Sequence, residues 1–243
     1  MLKFIGYGSA FNTRVGNNGA YMKKGKNLLL IDCGSSTFSK IQKANLLQDV
    51  ENIVVLLTHT HPDHVGSLGD LIFYGYYSMG EMMKPNVTVV APSDLYIQNL
   101  LNMMGVERDT YHYHPLEAPA FVSKLGIMIE PVKVKHVEEL NCYGYVITDR
   151  DKVAYYSGDC YEIPEIILHR LNKNLFDYFY QDTCKADYEG NVHLSLRKLE
   201  ELVSERVRNK VYCMHLDGGF DRKEAEDLGF RVVSFGDENL WAH

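Results

Sequence analysis

Ile53-Val54-Val55-Leu56-Leu57-Thr58-His59-Thr60-His61-Pro62-Asp63-His64 sets an unbroken apolar run directly against three imidazoles and a carboxylate. The run has no apolar/polar alternation and reads as a strand buried on both faces. His59 and His61 lie two apart, so in an extended segment they point the same way. The chain must turn at Pro62, which lets Asp63 and His64 face a second centre. Few structural needs call for three His and an Asp within six residues, and imidazole with carboxylate is a donor set for borderline metal ions.

The chain around this stretch is sized for a proper core. It has 243 residues, 46% of them hydrophobic. No Pro/Gly-rich linker divides it, so residues 1–243 are expected to form a single domain. The net charge of −7 and a pI near 5.8 give no whole-molecule pull toward nucleic acid or an anionic membrane. The five cysteines, Cys33, Cys142, Cys160, Cys184 and Cys213, are odd in number and form no C-x-x-C pair. That pattern fits reduced thiols. The start, Met1-Leu2-Lys3-Phe4-Ile5-Gly6, lacks signal-peptide character, and no apolar run approaches the ~20 residues of a membrane span. A cytoplasmic protein is expected, in the host bacterial cytoplasm if the source is a phage.

Short strands are expected at 2–7, 20–22 and 28–31, with Gly-Asn-Asn-Gly at 16–19 as a turn. Ser35 or Ser36 can cap a helix carrying Phe38, Ile41 and Leu46. A helix over 65–77 should follow the His cluster, with Leu68, Leu71, Ile72 and Tyr76 inward. Its aromatics Phe73, Tyr74, Tyr76 and Tyr77 read most simply as core and surface fill. A strand at 87–90 and a Ser93-capped helix over 94–104 come next. Strands at 127–134, 143–148 and 152–156 lead to a helix over 163–171 and a strand at 176–180. A loop over 182–193, a helix over 194–207, a strand ending at His215, and a last helix and strand complete the chain. Hairpins mix with strand–helix–strand units, so two sheets face to face with helices outside are expected, an α/β domain. His112 and His114 form another H-x-H pair without an acidic or Cys partner nearby. They suit a loop at the site mouth or a dimer contact rather than a further metal.

His59/His61, His136, Asp159 and His215 all fall at the C-terminal ends of expected strands, where sites form. A lone His after a strand, such as His136, is more often a capping or solvated residue; the six-residue cluster is what gives the set its meaning. The order His59-x-His61-x-Asp63-His64, His136, Asp159, His215, with Asp32 upstream, resembles the metallo-β-lactamase superfamily. Within it the resemblance runs nearly end to end to the tRNase Z-like branch. Gly6-Tyr7-Gly8-Ser9-Ala10 is similar to that branch's opening loop, and Leu30-Ile31-Asp32-Cys33-Gly34 to its first motif. His136 with Cys142-Tyr143-Gly144-Tyr145 is similar to the third motif and Ser157-Gly158-Asp159 to the fourth. Asp182-Thr183 and His193-Leu194-Ser195 are similar to its paired acidic and His-Ser-Thr motifs, with departures in wording.

The resemblance implies a metallo-β-lactamase αβ/βα sandwich with two Zn2+ per chain, Mn2+ being the alternative. It implies one metal on His59, His61 and His136, the other on Asp63, His64 and His215, and Asp159 bridging. Asp32 would orient a ligand imidazole from outside the ligand set. His193 would be the general acid with Asp182 its partner, and Asp63 would serve catalysis as well as binding. The plain alternative for His193 is a surface His before a helix.

The branch's tRNA-processing members carry a long basic arm between the third and fourth motifs. Here only residues 137–158 lie there, consumed by a tight hairpin. With the acidic balance this argues against nucleic acid as ligand. The overall resemblance is closest to phage-type anti-Pycsar phosphodiesterases. It implies a homodimeric, metal-dependent phosphodiesterase hydrolysing 3′,5′-cyclic CMP, UMP, AMP and GMP to nucleoside 5′-monophosphates, and so blocking cyclic-nucleotide antiviral signalling. The alternatives are a tRNase Z-type 3′-end endoribonuclease, a phosphodiesterase for another small cyclic phosphate, and a zinc-stabilised ligand-binding protein without turnover.

Overall fold

The computed structural model describes residues 1–236. Its first sheet is formed by β1 (Lys3–Gly6), β2 (Gly19–Lys24), β3 (Asn27–Ile31), β4 (Asn52–Leu56), β5 (Val87–Ala91) and β6 (His112–Pro115), in that order. Pairing is antiparallel from β1 to β3 and parallel from β3 to β6. The second sheet holds β7 (Ala120–Val122), β8 (Ile127–Val134), β9 (Cys142–Asp149), β10 (Lys152–Tyr156), β11 (Tyr178–Asp182), β12 (Val211–Met214) and β13 (Arg231–Val232). It too is antiparallel first, β7 to β10, and parallel after, β10 to β13. Each sheet therefore aligns the carboxyl ends of its later strands along one edge.

The helices are α1 (Thr37–Lys43), α2 (Pro62–Val65), α3 (Leu68–Ser78), α4 (Ile97–Met103), α5 (Glu165–Asn172), α6 (Leu196–Leu202), α7 (Glu205–Arg208) and α8 (Arg222–Asp227). Side-chain alternation sends Val54 and Leu56 into the layer between the sheets, with Leu29, Ile31, Ile129, Tyr145 and Tyr156. Ile53, Val55 and Leu57 face outward onto Ile41, Leu71, Ile72 and Leu101 of α1, α3 and α4. That is why the run at 53–57 is apolar without alternation: both faces are covered. On the far side, Tyr155, Phe179 and Val211 pack on Ile167, Leu171, Leu199 and Val207. The result is helix, sheet, sheet, helix, as expected of the sandwich. None of the described helices is long and apolar enough to cross a membrane.

Several elements differ from the sequence reading. The helix expected over 65–77 is two pieces, broken at Gly66-Ser67. Ser67 is pulled out of the helix by tertiary bonds: its N–H donates to Cys33 O at 3.0 Å and its hydroxyl to Gly34 O at 2.6 Å. The helix over 94–104 begins only at Ile97, after a 3-10 turn at Ser93–Leu95, because Tyr96 adopts φ +51°. The helix over 194–207 divides at Val203, which is extended. Helix α1 stops before Leu46, and Ser36 does not cap it with its side chain. The Ser36 hydroxyl instead accepts from Asn17 N–H at 2.8 Å. The strand expected at 176–180 runs two residues later, placing Asp182 at a strand end. His112 and His114 are not on a loop: they lie exposed on β6, the outermost strand of the first sheet.

Candidate metal centre

Six chain segments deliver the titratable residues to one rim. Asp32 follows β3, the His cluster follows β4, His136 follows β8, Asp159 follows β10, Asp182 ends β11 and His215 follows β12. Asp32 and His215 turn off their strands at φ +65° and +57°. Such left-handed conformations in non-glycine residues cost free energy and gather at functional sites. The rim is crowded enough that Gly34 has no room for a Cβ, which would meet Asp63 O at 1.8 Å.

Two donor groups form there. In one, His59 Nε2 lies 3.0 Å from His61 Nδ1, which lies 3.3 Å from His136 Nε2. In the other, His64 Nε2 and His215 Nε2 lie 3.4 and 3.3 Å from Asp63 Oδ2. Asp159 Oδ2 stands between them, 3.3 Å from His64 and His215 and 3.8 and 3.9 Å from His59 and His136. The ligand atoms of each group lie within 4.8 Å of one another.

The outer nitrogens are tied back, which fixes the tautomers. His136 Nδ1 donates to Val192 O at 2.9 Å. His64 Nδ1 donates to Asp32 Oδ2 at 2.8 Å. The Thr58 hydroxyl donates to the same Asp32 oxygen at 2.9 Å, so it is free to accept from His59 Nδ1 at 3.0 Å. In all three, the Nε2 lone pair is left aimed at the cluster, as in a metal-ligating imidazole.

The charge distribution asks for cations. Asp32, Asp63, Asp159 and Asp182 are all buried, and among the described residues their ion-pair partners are all imidazoles. Burial holds His59, His61 and His136 below the usual imidazole range. Burial pulls His215 down too, but Asp159, with Asp182 and Asp63, outweighs it and raises the ring to about 10. His64 is likewise raised, by Asp159 and Asp32 against burial. Burial penalises Asp159 as an anion, yet His215 and His64 hold its carboxyl well below the usual range. Buried His64 Nε2 and Asp159 Oδ1 make no hydrogen bond. Donor spacing fits as well: two nitrogens on one tetrahedral zinc, at ~2.0–2.1 Å each, sit about 3.3 Å apart. The donor set thus suits a pair of divalent ions.

His193 stands beside this cluster. Its Nδ1 meets Asp182 Oδ2 at 2.7 Å, and Asp182 also accepts from Cys160 N–H at 2.9 Å. Burial lowers His193, but Asp182 prevails and raises it. The cleft in front, about 670 Å³, is lined by His61, Asp63, His136, Asp159, His193 and His215 and by residues of the loop around Phe11. All the site residues expected from sequence converge here. The reading of 16–19 as a mere turn missed Asn18, which is buried. Its side-chain oxygen accepts from His215 N–H at 3.2 Å and its amide donates to Tyr156 Oη at 2.8 Å. Thr58 was also missed; its adjacency to His59 was the available signal.

Asp32→Asn should weaken metal binding by about 10–100-fold, the usual cost of losing a carboxylate behind a ligand imidazole. Asn tolerates the positive φ, so the fold should survive. Competition with a chromogenic chelator measures this; an unchanged affinity would contradict the role.

Comparison with known proteins places this geometry. The family model described as "Anti-Pycsar protein Apyc1" matches residues 1–237. A curated relative of that name from Paenibacillus harenae is 26% identical over 243 residues, covering 96% of each chain. Another, from Bacillus phage BSP38, is 29% identical over 234 residues and 88% of each. Among solved structures, the metallo-β-lactamase fold protein YhfI from Bacillus subtilis superposes with a TM-score of 0.76 at 19% identity, covering 97% of this chain and 96% of that one. Human tRNase Z, short form, gives 0.67 at 14% identity over 97% and 96%. At such identities these structures support the fold, the metallo-β-lactamase sandwich.

Proposed function

The chain belongs to the Anti-Pycsar protein Apyc1 family and is a metal-dependent hydrolase of phosphodiesters, and from that premise we propose that its substrates are 3′,5′-cyclic nucleotides. Cyclic CMP and UMP, with cyclic AMP and GMP, would be opened to nucleoside 5′-monophosphates, ending a cyclic-nucleotide antiviral signal in the bacterial cytoplasm. The observation that carries the choice of a small substrate is the chain between His136 and Asp159. It is spent on a five-residue loop and the β9–β10 hairpin, leaving no arm to grip an RNA. The cleft lining supports the same choice, since among the described residues it contains no Lys or Arg. A polyanion would find no basic track there.

His59, His61 and His136 would hold one zinc ion, Asp63, His64 and His215 the other, and Asp159 would join them. When bound, such a pair supplies an activated water near neutral pH and positive charge for the phosphoryl oxygens. The chain's own residues do the rest. Asp159 sets the spacing of the two donor groups. Asp182 holds His193 by Nδ1, leaving Nε2–H to face the cleft. His193 then gives that proton to O3′ as the bond from phosphorus to O3′ breaks. One water is consumed and the 5′-ester stays intact, so the product is the 5′-monophosphate.

A homodimer belongs to the same proposal. Tyr77, Met82 and Met83, at and just after the end of α3, are exposed, and a second copy would cover them. Incubating zinc-loaded protein with the four cyclic nucleotides tests the substrate class. The expected products are the four 5′-monophosphates; 3′-monophosphates, or no turnover of any of the four, would contradict it.

A further inference from the structure

We propose that Phe11 is the platform on which the nucleobase stacks, an assignment that rests on the cyclic-nucleotide reading above. Phe11 is 97% exposed, more than any other large apolar side chain among the described residues. A single exposed apolar side chain needs no explanation by itself. What sets Phe11 apart is the cleft it lines and the tie of its loop to the segment after His215.

It lines the same cleft as His61, His136, His193 and His215, and among the described residues it is the only Phe, Tyr or Trp that does so. Its loop is stitched to the backbone just after His215. Ser9 N–H donates to Leu216 O at 3.0 Å, and Leu216 N–H to Tyr7 O at 2.8 Å. The Asn12 amide, next to Phe11, donates to Leu216 O at 3.0 Å. Across the loop's base, Gly8 N–H donates to Gly16 O at 2.9 Å. A Cβ on Gly8 would meet Asn12 O at 2.5 Å, so the loop can close this tightly only with glycine there. The backbone that carries the ring is thus tied to the segment that follows His215.

Every base has a π face, so stacking holds purines and pyrimidines alike and is worth ~1–3 kcal/mol per base. With the phosphate at the donor groups, the base would extend into the cleft of about 670 Å³ that Phe11 also lines. The platform gives grip without demanding a particular base edge.

The test is steady-state kinetics of Phe11→Ala and Phe11→Trp on the four cyclic nucleotides and on ribose 3′,5′-cyclic phosphate without a base. Phe11→Ala should raise KM roughly ten- to hundred-fold for all four bases. Its kcat should stay within about twofold of wild type, as for loss of uniform binding. Phe11→Trp should keep the wild-type KM, and the base-free substrate should not distinguish any of the three proteins. An unchanged KM in Phe11→Ala, or an equal loss on the base-free substrate, would overturn the stacking role. Failure of the wild type on all four nucleotides is a different result and would overturn the reading beneath it as well.

Discussion

Asp159→Ala should lower kcat/KM for cyclic-nucleotide hydrolysis by on the order of a thousand-fold or more, since several kcal/mol of charge stabilisation pass through a two-metal centre. Among the described residues no other side chain reaches both donor groups as Asp159 does: one of its oxygens lies within 3.9 Å of four imidazole nitrogens drawn from both. Removing it takes away the anion that balances His64 and His215 and the atom that spaces the two groups. Asp159 is buried, so circular dichroism must accompany the kinetics. The expected pattern is a folded protein with less bound metal and little activity. A folded variant with near wild-type turnover would remove Asp159 from the centre.

His193→Ala should cost about 10²–10⁴-fold in kcat, the range for a lost general acid, while metal content stays at the wild-type level. The two readouts separate two roles. His193, His136 and Asp159 also bring donor atoms within 4.8 Å of one another, close enough for His193 to be a ligand. What favours the acid is its tie to Asp182 at 2.7 Å, a pairing that raises the ring's pKa against burial and so favours its protonated form. If metal content falls together with activity, the acid role fails and His193 joins the ligand set.

The convergence of these residues was readable in the sequence partly from their placement, while their division into two donor groups came from the family resemblance. His59, Asp159 and His215 each follow a short apolar strand, and the end of such a strand is where a parallel sheet exposes side chains to a site. The strand assignments needed only to be right within a residue or two for the residues to converge. Asp182 shows this: its strand was misplaced by two positions, yet the residue still arrived beside His193. Where the reading failed, the deciding partner lay far along the chain. The break at Gly66-Ser67 is made by Cys33 and Gly34, which no local pattern at 65–77 reports. The strand at His112–Pro115 was missed because an exposed outer strand carries no buried alternation. Asn18 was read as turn chemistry because Gly-Asn-Asn-Gly has that local meaning, while its bonds to His215 and Tyr156 are tertiary.

The central claim, that two metal ions on these ligands make the chain a cyclic-nucleotide phosphodiesterase, meets its most direct test in one titration. The protein is stripped with chelator, and cyclic CMP hydrolysis is followed as Zn2+ is added back. The account predicts no turnover in the stripped protein, then a rise to a plateau at two equivalents per chain, with CMP as the product. Turnover that persists in the stripped protein, or that reaches its plateau at a single equivalent, would contradict it.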